Sequence, residues 1–447
     1  MALTGVEIFK LLPKTNCKKC GHPTCLAFAM KLAQRQASLD ACPDVSEDAK
    51  RVLGEASAPP IRAITIGTGP VAVKVGEENV LFRHEKKFVN PCAFGIEVKD
   101  TMPDEEIKGL VDAVLNSEID RVGQKLRIDT ILISNESNDV KKFEAVVKTV
   151  SEKAPQVPLI ISAKDPSAAE AAIKLVADKK PLLYGADDSN AEAMANIAKK
   201  YKTSLGVAAD GLDALSVLTE KVKGLGVEDI VMDSGARTAK DIIEHNTLIR
   251  RAAVKKNFKP FGYPVITFAQ NSDPMLETLK ATLGVTKYSS IIIMSNIDKW
   301  KNLVLFSLRQ NIYTDPQVPM QVEQKIYSIG EPTPDSPLTI TTNFSLTYFI
   351  VSGEIENSKV PCRLAVMDCE GLSVLTAWAA GKFTASKIAQ FIQESGVENE
   401  IKHRELVIPG YVAILSGAIE DKLPGWKVVV GPREANGLPA FLKSRSN

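Results

Sequence analysis

The sequence has almost no net charge: 55 Lys and Arg stand against 54 Asp and Glu in 447 residues, a formal balance of +1. A chain without a basic surplus has no field to attract a polyanion, so nucleic-acid binding is disfavoured. Long apolar runs are missing as well. None approaches the ~18 residues needed to cross a bilayer, and the opening MALTGVEIFKLLPK is broken by Glu7 and Lys10 before a signal-peptide core could form. The expected location is cytoplasmic, with no membrane partner. Histidine is scarce: His84, His245 and His403 are isolated, no hydrolase triad can be assembled, and no catalytic residue is assigned. Cysteine is scarce too, since seven are too few to staple a chain of this length. Four of them, Cys17, Cys20, Cys25 and Cys42, are nevertheless crowded at one end.

What remains is ordinary globular composition, 45% hydrophobic and 24% charged, in a chain long enough for at least two cores of ~100 to 200 residues. Two proline-bearing stretches, EASAPP (Glu55 to Pro60) and EPTPDSP (Glu331 to Pro337), lack apolar periodicity and read as exposed connections. They suggest domains at 1–57, 58–325 and 326–447. In the middle part, eight short apolar runs alternate with amphipathic helical patterns: Phe94 to Val98, Thr130 to Ser134, Pro158 to Ser162, Leu182 to Tyr184, Ser204 to Val207, Asp229 to Met232, Val265 to Phe268 and Ser290 to Met294. Eight βα units of this length predict a closed (β/α)8 TIM barrel. Ahead of it, IRAITIGTGPVAVKVGEENVLFR alternates around glycines and predicts hairpins. Gly67, Gly69 and Ala72 mimic a dinucleotide fingerprint there, but the period-two VAVKV that follows offers no helix N-terminus for a pyrophosphate. After the second proline stretch, strands at Leu338 to Thr342, Leu364 to Asp368, Glu405 to Ile408 and Trp426 to Val430 predict a small doubly wound, flavodoxin-like (Rossmann-like) α/β sheet.

The cysteine spacing is Cys17-x2-Cys20-x4-Cys25-x16-Cys42, with Pro43 after the last. Three thiols on one short loop can wrap a cluster edge while a helix over Leu26 to Gln36 returns the fourth, which favours a 4Fe-4S cluster. Structural zinc is the main alternative, although it usually takes two similar CxxC knuckles; free thiols rank below both. His22 reads as a loop residue, and Lys18 and Lys19 as an offset to cluster charge or a solvated pair. Cys92, Cys362 and Cys369 lack ligand spacing and read as buried structural residues.

In an open α/β sheet, ligands sit beyond the carboxyl ends of the strands. Here that rim comprises Ile340 to Leu346 (with Thr341, Asn343 and Ser345), Asp368 to Leu375, Pro409 to Tyr411 (with Gly410) and Gly431 to Gly437 (with Ala435 and Asn436). Glu370, Gly371 and Leu372 read as a turn before a helix opened near Ser373. Leu372, Val374 and Leu375 would then offer a flat apolar surface, and Asn343 or Ser345 would cap the helix after the first strand. Such a sheet can hold either FMN or a cobamide, and the sheet alone does not decide.

The four-cysteine segment CKKCGHPTCLAFAMKLA ending at ACPD, the barrel, and DCEGLSVLTAWAAGKF together resemble the large (gamma) subunit family of the corrinoid/iron-sulfur protein, over essentially the full length. The resemblance implies a corrinoid methyl carrier of the reductive acetyl-CoA (Wood-Ljungdahl) pathway. Cobamide Co(I) would take the methyl group of methyltetrahydrofolate through a separate methyltransferase, and methyl-Co(III) would donate it to acetyl-CoA synthase. It also implies a smaller barrel subunit as heterodimer partner, contact with acetyl-CoA synthase/CO dehydrogenase, and a low-potential electron donor. Cys17, Cys20, Cys25 and Cys42 would hold the 4Fe-4S cluster, which would return inactive Co(II) to Co(I); the rim residues would hold the cobamide. Methionine-synthase-like modules ligate cobalt through a DxHxxG histidine, but the positions two before the four histidines hold Cys20, Phe82, Ile243 and Ile401. Cobalt without a protein histidine ligand is therefore expected, in a carrier subunit that is not itself an enzyme. Two rivals remain. NES (Asn135 to Ser137), DDSN (Asp187 to Asn190) and AQNSD (Ala269 to Asp273) could form a barrel-based methylpterin methyltransferase site, or the chain could be an iron-sulfur flavoprotein electron carrier.

Overall fold

A computed structural model describes residues 5–33, 37, 39–46, 49 and 59–445. The chain divides into two units, Met1–Glu118 with Arg127–Tyr313, and Ile119–Leu126 with Thr314–Asn447. Residues 55–58 of EASAPP and 34–36 of the expected first-domain helix lie outside the described residues.

The first unit is built on eight parallel strands: β3 (Ala93–Lys99), β6 (Thr130–Ser134), β7 (Leu159–Ser162), β8 (Leu182–Ala186), β9 (Ser204–Ala208), β10 (Ile230–Asp233), β11 (Ile266–Phe268) and β12 (Ile291–Met294). All eight expected strands form. The ring is completed where Met232 bridges to Val265 and donates its amide to Pro264 O at 2.8 Å, which makes the sheet a barrel. Alternate residues fill its interior: Ala93, Leu132, Ile160, Leu182, Val231, Ile266 and Ile291 share one apolar cluster. A hairpin of β1 (Ile64–Ile66) and β2 (Val73–Val75) adds Ile64, Ile66 and Val75 to the same cluster. The glycine decoy lies in this hairpin's turn, where Gly69–Val71 makes one short turn and no helix follows.

Crossover helices return each strand to the next: α3 (Asp104–Leu115), α4 (Val140–Lys153), α5 (Pro166–Val176), α6 (Ala191–Tyr201), α7 (Leu212–Gly224), α8 (Ala239–Lys256), α9 (Pro274–Thr286) and α10 (Lys299–Tyr313). Their starts follow from the sequence: Asp139, Asp165, Thr238 and Asp273 accept backbone N–H bonds as N-caps of α4, α5, α8 and α9.

The second unit is a five-stranded sheet in the order β13 (Lys325–Ile329), β15 (Cys362–Met367), β14 (Leu338–Thr342), β16 (Glu405–Ile408), β17 (Lys427–Val430). The four expected strands run parallel, and the unexpected β13 pairs antiparallel along β15 from Lys325↔Val366 to Ile329↔Cys362. EPTPDSP is therefore a connection inside this unit. Arg363 Nη1 donates to Thr333 O at 2.6 Å and Lys402 N to Pro334 O at 2.9 Å, so the stretch is pinned, and the units divide earlier, between Tyr313 and Thr314. The helices are α11 (Ser345–Ser358), α12 (Val374–Ala379), α13 (Ala385–Glu394), α14 (Ser416–Lys422) and α15 (Leu438–Arg445).

The second unit also owns a hairpin, β4 (Ile119–Arg121) and β5 (Gln124–Leu126), drawn from between α3 and β6 of the barrel. Its turn places Val122 at φ 57 and Gly123 at φ 69. A β-branched residue in the left-handed region is strained. Val122 is held there by burial with Val322, Ile329, Ile355 and Leu364.

Candidate cofactor-binding sites

The first candidate is the cysteine loop. α1 (Gly5–Leu11) and α2 (Cys25–Ala33) pack around Ile8, Leu12, Phe28 and Leu32. Between them Lys14, Asn16, Lys18 and Gly21 have φ of 60, 49, 62 and 79. Cys17 and Cys20 lie on this loop, Cys25 opens α2, and Cys42 follows the short turn Leu39–Ala41. Asn16 clamps the loop to the helix: its N–H donates to Cys25 Sγ at 3.4 Å, and its Oδ1 accepts the Cys25 N–H at 2.8 Å. Cys25 and Cys42 are buried in one small cluster with Cys20 packed against it, whereas Cys17 is exposed and reaches Asp44 at 3.5 Å. Asp44 also accepts from Lys19 at 3.1 Å; this hydrogen bond is the main reason the ammonium sits above, and the carboxyl below, its ordinary range. His22 packs on the Phe28 ring. Among the described residues, no three His, Cys, Asp or Glu side chains form a metal-holding group. The loop thus gathers thiols around one mini-core without closing them on a common centre. Soft sulfur donors, an N–H aimed at one sulfur and a nearby ammonium fit an iron-sulfur cluster better than an oxygen-preferring ion.

The second candidate lies at the carboxyl ends of β14, β16 and β17. β14 follows β15 for five register pairs but meets β16 at the single pair Thr339↔Val407. Beyond that pair the two strands part. In this strand order, β14 is where the chain turns from one side of the sheet to the other, the switch point at which such sheets bind ligands. The gap opens into a cavity of about 300 Å³ lined by Thr339, Thr341, Ile350, Leu375, Pro409 and Tyr411, among others. Thr341 is 1% exposed and its hydroxyl has no hydrogen-bond partner. A buried hydroxyl left unpaired costs ~1–3 kcal/mol, and Thr341, which carries one, belongs to the cavity lining. Apolar lining residues are uncovered: Ile350, Leu375 and Tyr411 are 43–49% exposed, and Leu346, Phe349, Trp378 and Ile414, on the same helices and loops, are exposed as well. Loops that carry so much uncovered hydrocarbon are built to be covered.

The turn at Asp368 to Ser373 is fixed from beneath. Asn343 Oδ1 accepts the N–H of Cys369 at 2.9 Å and of Gly371 at 3.0 Å, while its Nδ2 donates to Asp368 Oδ1 at 2.9 Å. Glu370 and Gly371 are left-handed at φ 57 and 72, and a Cβ on Gly371 would lie 2.8 Å from Gln321 Cγ. Glu370 pairs with Lys382 at 2.5 Å.

Comparison with known proteins matches both regions. The Fe-S cluster family model fits residues 12–43, and the model for the CO dehydrogenase/acetyl-CoA synthase delta subunit fits residues 63–442. The corrinoid/iron-sulfur protein large subunit of Moorella thermoacetica is 47% identical over 444 residues, 99% of each chain. The chain belongs to this family. More distant members are gamma subunits of the acetyl-CoA decarbonylase/synthase complex. That of Methanothermobacter thermautotrophicus is 35% identical over 455 residues, 99% of each chain. That of Archaeoglobus fulgidus is 36% identical over 460 residues, 98% of this chain and 97% of the other.

In this corrinoid/iron-sulfur family member the cavity collects Ile340, Thr341, Ser373, Val374, Leu375, Tyr411, Gly431 and Ala435 of the expected rim. Asn343, Ser345, Leu346, Glu370, Gly371, Leu372, Gly410 and Asn436 lie outside its lining. Neither Asn343 nor Ser345 caps α11; the cap position is Phe344 and Asn343 holds the neighbouring turn instead. Leu372 packs against the sheet's core and does not extend the apolar surface. At Gly410 a Cβ would meet Gly431 O at 2.6 Å, so this glycine lets two rim loops touch. The sequence reading missed Thr347, Ile350 and Val351 of α11, whereas Pro432 to Glu434 after β17 fall within the expected Gly431 to Gly437 rim. A hint lay in the LTYFIV run, too apolar for a helix with a solvated face.

No histidine lines this cavity among the described residues; His403, in the same unit, is engaged by Ser336 O at 2.9 Å and Glu405 N at 3.2 Å. Cys92, Cys362 and Cys369 are buried, and burial pushes their thiols up to about 12, 11 and 12. No helix of the described residues is long and apolar enough to cross a membrane. A separate cavity of about 940 Å³ opens at the barrel mouth, lined by Asp187, Asp210, Tyr184, Asp233 and Arg237 among others. Asp233 there accepts from Tyr184 at 2.5 Å and from Arg237 at 2.7 Å.

Proposed function

We propose that this chain is a methyl carrier of the acetyl-CoA pathway, holding a corrinoid on the β14–β16 rim and a 4Fe-4S cluster on Cys17, Cys20, Cys25 and Cys42. Bound there, a corrinoid supplies a cobalt that accepts and passes on a methyl group, and the cluster supplies single electrons that keep that cobalt reduced. The observation that carries the reading is the rim: two strands part, Thr341, whose buried hydroxyl has no protein partner, is among the residues that line the cavity there, and apolar side chains surround it. The Thr341 hydroxyl would donate to or accept from the inserted part of the ligand. Val374, Leu375 and Ile350 would lie against its flat apolar surface and exclude water. Asn343 would hold the Glu370–Gly371 turn in place beneath it. With no imidazole in the cavity lining, cobalt would receive no histidine from this chain, which lowers the barrier to reduction because axial ligation is a main lever on a metal's potential.

The family relatives support two partners, a small subunit completing the corrinoid/iron-sulfur protein and acetyl-CoA synthase; a separate methyltransferase and a low-potential donor, supplying methyl and electrons, complete the proposed scheme. Anaerobic purification with the small subunit, followed by metal analysis and absorption spectroscopy, tests the reading. About four irons and one cobalt per chain, with corrin bands that shift on reduction, are expected. Zinc in place of iron, or a flavin spectrum without cobalt, overturns it. The acidic barrel mouth favours one second reading, methylpterin binding by the barrel itself; saturable binding of methyltetrahydrofolate to the isolated chain would establish it.

A further inference from the structure

Asn16 is joined to Cys25 twice, in opposite directions. Its backbone N–H donates to Cys25 Sγ at 3.4 Å, and its side-chain Oδ1 accepts the Cys25 N–H at 2.8 Å. Cys25 is the first residue of α2, so its N–H has no partner within the helix. Thr24 serves the next turn, accepting from the Ala27 N–H at 3.0 Å through Oγ1 and from the Phe28 N–H at 3.0 Å through its carbonyl. The acceptor for Cys25 comes instead from nine residues earlier. The residue that provides it must also sit at φ 49. Asparagine meets both demands, because it enters the left-handed region more readily than most residues and carries a short amide oxygen. The side-chain bond therefore fixes where the backbone N–H points, and the sulfur it points at belongs to a residue only 7% exposed. Cys17 contrasts: it is exposed, and its partner at 3.5 Å is the carboxylate of Asp44, which offers no donor.

We propose that Asn16 is a positioning residue for the iron-sulfur cluster: its side chain anchors its own backbone N–H on the Cys25 sulfur, and that hydrogen bond raises the cluster's reduction potential. The inference rests on the proposed cluster for the group and on the paired bonds for the residue. A donor on a coordinating sulfur draws electron density away from iron and favours the added electron, so such bonds are among the levers on a cluster's potential. Burial gives this one weight, because little water competes with it or screens it. Neutrality matters as well. An aspartate could make the same two bonds, but it would set a negative charge beside the cluster and oppose the extra electron. Asn16 thus keeps the cluster within reach of its electron donor, while the thiolates hold the iron.

The test compares wild type with Asn16→Gly and Asn16→Asp, each co-expressed with the small subunit and purified anaerobically. Glycine takes up φ 49 without strain and removes only the anchor; aspartate keeps the acceptor and adds charge. Iron and sulfide content, the cluster's midpoint potential from a redox titration followed by EPR, and the coupling of exchangeable protons to the reduced cluster in pulsed EPR are read on each. Both variants are expected to keep their iron and to show, at a fixed solution potential, a reduced-to-oxidised ratio about tenfold below wild type, equivalent to about 59 mV for one electron. On transfer to heavy water, wild type and Asn16→Asp should lose the coupling of one exchangeable proton that Asn16→Gly lacks from the start. A merely structural role would change iron content or stability and leave the potential of the loaded cluster where it was. Should Asn16→Gly fail to hold iron, wild type labelled with nitrogen-15 asparagine decides: its reduced cluster should show a nitrogen-15 coupling, and absence of that coupling overturns the inference. An unchanged potential in loaded Asn16→Gly protein overturns it too, and leaves the proposed cluster standing. Wild type that holds no iron sinks the proposed cluster itself.

Discussion

At the front of the chain, four cysteines on a loop, a helix start and a following turn are the proposed covalent ligands, and the surrounding fold is small: two short helices and a handful of buried side chains. At the back, a five-stranded sheet opens a crevice lined by many side chains, and the proposed ligand position follows from where β14 and β16 part. The first kind of site resides in residue identity and the second in topology. A substitution should therefore act all-or-none on the cluster and by degrees on the corrinoid.

The sharpest way to break this contrast is Cys42→Ser. Iron is expected to fall well below about four per chain, with cobalt content kept, because one iron loses its thiolate and the cluster becomes labile. Reductive reactivation should vanish, while methyl transfer by chemically reduced protein continues. Loss of cobalt along with iron in a folded variant would contradict separate sites.

Asn343→Ala comes next. It strands the buried N–H groups of Cys369 and Gly371, for a cost of ~2–6 kcal/mol at about 1–3 kcal/mol per unsatisfied group. Denaturant unfolding followed by Trp378 and Trp426 fluorescence should show the loss, and a change under ~1 kcal/mol would mean that the turn is held otherwise. Thr341→Val is finer, and its sign is informative. Removing an orphaned hydroxyl should leave the ligand-free protein as stable or up to ~1 kcal/mol more stable, yet release corrinoid ~5–10-fold faster. A destabilised ligand-free variant would show that the hydroxyl has a protein partner.

The smallest effect concerns the three remaining thiols. With Cys92 and Cys369 pushed up to about 12 and Cys362 to about 11 by burial, all three stay protonated at pH 8. Brief alkylation of iron-free protein should label exposed Cys17 first and leave these three unmodified by peptide mass analysis.

The barrel was readable because each of its strands is a short apolar run between amphipathic helices, a pattern that does not depend on distant partners. β13 was not, because Lys325–Ile329 alternates polar and apolar residues at an edge and stands before a proline-rich stretch that resembles a linker. What holds that stretch, Arg363 and Lys402, lies 30 or more residues away in sequence. The hairpin at Ile119–Leu126 was hidden by the same kind of distance. In the rim, strand ends were placed well enough to mark the crevice. The choice between lining and supporting residues was not, because Asn343 and Leu372 are turned inward by contacts the sequence does not display. α11's contribution depends on which helix face meets the sheet, and LTYFIV is apolar on every face.

The hairpin at Ile119–Leu126 has a genetic consequence. A gene fragment beginning at Thr314 would leave behind the strand pair that supplies Val122 to the C-terminal core, and a graft of that fragment between relatives would mate a foreign hairpin to it. Exchanges by recombination should therefore succeed only when both segments travel together, tying the inheritance of two stretches that lie nearly two hundred codons apart.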